Sequence, residues 1–104
     1  MIKETSINKV SGYIGLADRA GYVIWGADNL KGYTHKMYLL LYREDFGKTI
    51  EKTISRFKNS GAIIIMLNEA EFNKIVKKNN CKILAIKNKG ISEQIINILR
   101  GEDG

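Results

Sequence analysis

Gly15-Leu16-Ala17-Asp18-Arg19-Ala20-Gly21-Tyr22-Val23-Ile24-Trp25-Gly26-Ala27-Asp28-Asn29 is the stretch on which the fold turns. It reads as the end of a helix, a one-glycine stop, a short apolar strand and the opening of a second helix. Gly21 supplies the left-handed residue with which helices commonly end. Gly26 carries no side chain, so backbone or ligand can approach it closely. Asp28 and Asn29 belong to the residue types that favour helix starts, and a helix start after a strand suits anion or base contacts.

Working outward, Thr5 to Ala20 has helical spacing, with Ile7, Val10, Ile14 and Ala17 on one face. Gly12 and Gly15 in that helix weaken its propensity and are read as admitting another element to close approach. Tyr22–Trp25 is a strand, Ala27–Tyr33 a short helix ending near Gly32, and Met37–Tyr42 a second strand broken by Arg43-Glu44-Asp45. Gly47–Asn59 is amphipathic, with Ile50, Ile54 and Phe57 on the core side and Lys48, Lys52 and Arg56 on another. Asn59-Ser60-Gly61 stops it. Ala62–Leu67 is a third strand, Glu69–Lys78 a helix with Phe72, Ile75 and Val76 inward, and Lys82–Ile86 a fourth strand. Ile91–Arg100 closes the fold as a helix burying Ile91, Ile95, Ile98 and Leu99, with Ser92 as a candidate cap and Gly101–Gly104 as a frayed tail. Helices alternating with continuous apolar strands imply an α/β fold, a sheet covered on both faces in a three-layer α/β/α sandwich. Strand order stays open.

A chain of 104 residues implies a single domain, residues 1–104, and the apolar content suffices for one core. Its longest apolar run, Ala62–Leu67, is too short to span a bilayer, and the amino terminus lacks the apolar segment of a secretory leader. These readings lead to the expectation of a cytoplasmic protein without membrane contact. Cys81 and His35 are each the single residue of their type, which excludes an internal disulfide and argues against a metal site. Seventeen Lys and Arg against eleven Asp and Glu leave a net charge of +6, which favours a polyanionic partner such as RNA or DNA. The plainer alternative is a Lys-rich hydrated surface. No phosphate loop, nucleophile elbow or dinucleotide fingerprint occurs, and Cys81 has no base nearby in sequence, so neither enzyme chemistry nor a cofactor is expected.

Gly15–Gly21, the short strand and Gly26 resemble the amino-terminal signature of the large-subunit ribosomal-protein family L-seven-Ae and its small bacterial YlxQ-type relatives. The apolar strand running into Arg43-Glu44-Asp45, and Leu84-Ala85-Ile86-Lys87-Asn88-Lys89-Gly90 before an Ile-rich helix, are similar to later parts of the same family. The resemblance implies a four-stranded mixed sheet and binding of kink-turn RNA, a bent internal loop with tandem sheared G·A pairs. Structured RNA, including ribosomal RNA, and the ribosome itself are the partners it implies. RNA would be held first at the helix start Gly26-Ala27-Asp28-Asn29-Leu30-Lys31, with Gly26, Asp28, Asn29 and Lys31 at the RNA and Arg19 and Lys36 flanking. The second element would be the loop leaving the third strand, Asn68, Glu69 and Ala70.

Each of these residues has a plainer reading. Gly15 and Gly21 serve packing and helix termination, Gly26 and Asn29 start a helix, and Lys31, Lys36 and Arg19 are solvated charges. Lys74, Lys77, Lys78 and Lys82 cluster at the last helix-to-strand turn, as a hydrated face or as a steering patch. Trp25 is read as buried under the neighbouring helix rather than stacked on a base. Glu69, Glu71 and the altered helix start motivate an alternative, a protein–protein interaction module on the same scaffold with RNA binding weakened or lost.

Overall fold

The structure is a computed structural model that describes residues 3–46, 50–78 and 80–101. Helix α1 (Glu4–Arg19) lays Ile7, Val10, Ile14 and Ala17 along one buried stripe. It ends as the sequence requires. The Tyr22 N–H donates to the Ala17 carbonyl at 2.8 Å and the Gly21 N–H to that of Asp18 at 3.0 Å, with Gly21 at φ 79°. This doubly bonded, left-handed stop satisfies carbonyls that the helix end leaves open, and it feeds β1 (Val23–Trp25) directly.

Helix α2 (Ala27–Lys31) follows at once, then β2 (Leu39–Arg43), α3 (Glu51–Asn59), β3 (Ile63–Leu67), α4 (Glu69–Ile75), β4 (Ile83–Ile86) and α5 (Lys89–Leu99). The strands form one four-stranded mixed sheet in the order β1-β4-β2-β3. β2 and β3 are parallel, joined by α3, while β4 runs antiparallel to both β1 and β2. β1, β2 and β3 therefore share one direction, and their carboxyl ends lie at one end of the sheet together with the start of β4.

Side-chain alternation divides the interior into two layers. Leu39, Leu41, Leu84 and Ile86 face a cluster with α1, α4 and α5, centred on Val10, Ile14, Phe72, Ile75 and Ile95. Leu40, Ile83 and Ala85 face the other side, against Leu30 of α2, Phe57 of α3 and Ile50 just before α3. The expected α/β/α sandwich is thus the observed architecture. Ile54, Ile91 and Leu99, expected in the core, are only partly buried beside it.

Several boundaries differ from the expectations, each for a local reason. Arg43 closes β2 rather than breaking it, its N–H donating to the Lys82 carbonyl at 2.9 Å. Helix α4 stops at Ile75 instead of Lys78, because Val76 turns extended (φ −101°, ψ 112°) and drops its side chain into the core. Helix α5 starts at Lys89 with Asn88 as its cap, whose Oδ1 accepts from the Ile91 N–H at 2.9 Å. Ser92, expected as the cap, lies inside the helix, fully buried, with no hydrogen-bond partner for its Oγ among the described residues. Gly12 and Gly15 admit no close neighbour: a Cβ at Gly12 would meet nothing within 4 Å, and one at Gly15 only the Arg19 Nη1 at 3.7 Å. The expected helix start at Gly47 and Lys48, and residues 102–104 of the tail, lie outside the described residues.

The capping assignment has a direct check in thermal or urea unfolding. Asn88→Ala should cost about 1 kcal/mol by removing the cap. Ser92→Ala should be neutral or stabilising, because it removes a buried hydroxyl that has no partner.

Candidate nucleic-acid interface

The end of the sheet that carries the carboxyl ends of β1, β2 and β3 also carries the expected helix start. Gly26 sits at φ 83°, ψ 154°, a conformation that L residues rarely adopt, and its N–H donates to the Ile83 carbonyl of β4 at 3.0 Å. A Cβ there would meet nothing, so backbone conformation, not crowding, requires glycine. Asp28 and Asn29 are exposed on α2. The Asn29 Nδ2 donates back to the Trp25 carbonyl at 2.7 Å, which fixes its side chain and leaves its Oδ1 and second N–H for other partners.

α2 is short and is held from below by Arg56 of α3. The Arg56 guanidinium donates to the Lys31 carbonyl at 3.0 Å and to the Leu30 carbonyl, and it stacks on the Phe57 ring at 4.7 Å. Arg56, on the basic face of its helix, is thus a clamp on the end of α2.

Two recesses open beside Gly26. The first, of about 330 Å³, is lined by Trp25, by Ile14, Gly15 and Asp18 of α1, and by Lys77 and Lys78. The half-buried indole donates from Nε1 to Asp18 Oδ1 at 2.9 Å, and the Lys78 Nζ lies 4.9 Å from its ring centroid. The open side chain position at Gly15 helps to make this hollow. The second recess, about 430 Å³, is lined by Arg43, Asn73, Lys77, Lys78, Asn80 and Lys82. Lys77 and Lys78 line both, so they form a basic ridge between them. The ridge exists because α4 ends at Ile75 and the chain turns through Asn80, at φ 60°, into β4. Asparagine tolerates that left-handed position better than most residues.

Acidic groups at the ridge are already engaged. Asp45 accepts from Arg43 Nη2 at 2.8 Å and lies 3.8 Å from Lys82 Nζ. The Arg43 hydrogen bond holds the Asp45 carboxyl below its ordinary range, and the same bond raises Arg43 further. Arg43 also donates to Asn73 Oδ1 at 3.0 Å, tying the end of β2 to α4. Lys77 and Lys78 form no ion pair among the described residues.

The sequence-expected residues divide. Gly26, Asp28, Asn29 and Lys31 stay together on the β1–α2 corner. Asn68, Glu69 and Ala70 share that end of the sheet but follow β3 at the opposite edge. Three strand spacings, about 14 Å, separate the two, and Asn68 there caps α4 by accepting from the Glu71 N–H at 2.8 Å. Lys36 precedes β2 at the other end of the sheet, with its ammonium 5.3 Å from the Tyr38 ring centroid. Arg19 ends α1 at that same far end and lines a groove between α1 and α5. What neighbours Gly26 is the Val76–Lys82 connection. Its lysine cluster was visible in the sequence, but its position beside Trp25 follows only from β4 pairing with β1. Trp25, expected to be buried under the neighbouring helix, is only half-buried against α1 and also faces the cleft.

Cys81 is buried and its thiol donates to the Ile83 carbonyl at 3.1 Å. Burial pushes the thiol pKa up, which keeps it protonated and a poor nucleophile. No group of three or more His, Cys, Asp or Glu is placed to hold a metal among the described residues. No described helix is long and apolar enough to cross a membrane.

No protein-family model and no curated protein matches the chain. A solved structure described as a protein with unknown function from Bacillus halodurans C is similar, with a TM-score of 0.68 and 18% identity, covering 88% of this chain and 97% of that one. At this identity the likeness shows the fold alone.

Two outcomes test these local assignments. Arg56→Ala should lower stability by about 1–2 kcal/mol in urea unfolding, since the two carbonyls at the end of α2 lose their donor. Alkylation of Cys81 should be slower than that of a free cysteine at pH 8, and its rate should still climb above the ordinary thiol titration range.

Proposed function

We propose that the chain is a non-catalytic RNA-binding protein, ribosomal-protein-like, that recognises kink-turn or related structured RNA. The observation that carries this reading is the Lys77–Lys78 ridge, in no ion pair among the described residues, set over the single tryptophan and beside the exposed polar edge of α2. A bent RNA presents phosphates and unstacked bases close together, and proteins meet them with lysines and aromatic or polar side chains. In this reading Lys77, Lys78 and Lys82 take phosphates, Asp28 and Asn29 take base edges, and Trp25 floors a pocket for a splayed base. The net charge of +6 supplies long-range attraction. The cytoplasm is the compartment that suits such a partner and a single protonated thiol.

The second RNA element is accordingly the Val76–Lys82 connection, not Asn68–Ala70. Glu69 beside phosphate would oppose the gain from counterion release, and it sits at the far edge of the sheet.

Titration of a kink-turn RNA against a plain duplex of equal length, followed by Trp25 fluorescence, tests the reading. The kink-turn should bind more tightly and change the Trp25 emission. Lys77→Ala with Lys78→Ala should weaken binding about tenfold or more and reduce the salt slope by about 2. Glu69→Ala should change neither. Equal affinity for both RNAs removes the kink-turn claim, and full affinity in the double lysine variant removes the site.

A further inference from the structure

The recess that holds Trp25 also holds one acidic group. Ile14, Gly15 and Asp18 share a face of α1 at helical spacing, and they line the recess together with Trp25, Lys77 and Lys78. Asp18 stands in the last turn of α1, where a carboxylate opposes the helix dipole. A contact with β1 holds it there: its Oδ1 accepts from the Trp25 Nε1 at 2.9 Å. Its Oδ2 takes no hydrogen bond and no ion pair among the described residues. Gly15 leaves the space beside it open, since a Cβ there would meet only the Arg19 Nη1 at 3.7 Å. The Lys78 Nζ lies over the half-buried indole, 4.9 Å from the ring centroid. One hollow therefore joins an aromatic ring, a hydrogen-bond acceptor at the N–H edge of that ring, and two ammonium groups.

We propose that this recess selects guanine, with Asp18 as the residue that determines the choice. The inference rests on the reading of this corner as an RNA-binding site and names the base it takes. A splayed base stacks on the indole, and Asp18 meets its Watson–Crick edge. A carboxylate only accepts hydrogen bonds. Guanine presents two adjacent donors on that edge, N1–H and the 2-amino group. Adenine and cytosine set a ring-nitrogen acceptor beside their amino group, and uracil flanks its N3–H with two carbonyl oxygens. Each of those three brings a lone pair against the carboxylate. Stacking displaces the Lys78 ammonium from the ring, and the phosphate of the same nucleotide receives it together with Lys77. That exchange is favourable, because an exposed ammonium is held weakly over a ring and more strongly by a phosphate oxygen. A free guanine nucleotide offers the same chemistry as a guanine of RNA, and competition between the two separates the sources.

Titrations of the full chain with nucleoside monophosphates, followed by Trp25 emission, test this. Guanosine 5′-monophosphate should bind about tenfold more tightly than its adenosine, cytidine and uridine counterparts. Inosine 5′-monophosphate, which lacks only the 2-amino group, should bind several-fold more weakly than the guanosine nucleotide. Asp18→Asn keeps an acceptor for the Trp25 Nε1 and offers the base a donor, so it should lose the preference for guanine and favour adenine. Lys77→Ala with Lys78→Ala should weaken the guanosine nucleotide but not guanosine itself, which has no phosphate. Equal affinity for all the nucleotides, none measurable up to about 10 mM, or an unchanged preference in Asp18→Asn overturns the proposal. Excess kink-turn RNA should release the guanosine nucleotide. If it does not, the guanine site stands with a free nucleotide as its ligand, and the RNA reading falls. If kink-turn RNA binds through Lys77 and Lys78 while no nucleotide is preferred, the RNA reading stands and the guanine site falls.

Discussion

The insertion of β4 between β1 and β2 is the constraint on which the rest of this protein depends. Every residue of β4 is fully buried, and its two ladders are what join β1 to the remainder of the sheet. Burying a strand on both faces and both edges removes its backbone from water, so each N–H and C=O must find a partner in the ladders. That demand fixes register. Ile83, Leu84, Ala85 and Ile86 then alternate between the two apolar layers and tie α1, α4 and α5 on one face to α2 and α3 on the other.

The same insertion creates the chemistry at the end of the sheet. β4 begins where β1 ends, so the chain entering β4 passes beside Gly26, and the Gly26 N–H is bonded to Ile83. Lys77, Lys78, Asn80 and Lys82 come with it. The early end of α4 at Val76 matters equally. A helix continued to Lys78 would carry Lys77 and Lys78 around its own axis. An extended Val76 instead satisfies the core and leaves the two lysines as a ridge. Arg43, bonded to Asp45 and Asn73, occupies the nearby acid, so the ridge keeps its charge.

The edges of the sheet divide the remaining roles. The β1 edge is short, closed by Asn29 and next to the basic recesses. The β3 edge is longer and apolar. A sheet of this order sets a short edge beside the basic recesses apart from a longer apolar one.

Much of this was legible in the residues alone. The helix stop at Gly21, the buried stripe of α1, the four apolar strands and the α/β/α layering all follow from local periodicity and backbone chemistry, which act over a few residues. The cap of α5 was misplaced to Ser92 because Ser and Asn compete for the same role and only packing shows which one is buried. The clamp that Arg56 makes on α2 was not legible because its partners, the carbonyls of Leu30 and Lys31, are distant in sequence. The resemblance implied a second element at Asn68–Ala70, and a linear reading, which cannot order strands, does not show that this loop lies three strands from Gly26. Local sequence determined the elements and the Gly26 corner. Only the tertiary structure decided what stands beside that corner, because strand order is set by long-range pairing that buries β4, and that pairing brings Lys77–Lys82 rather than Asn68–Ala70 to Gly26.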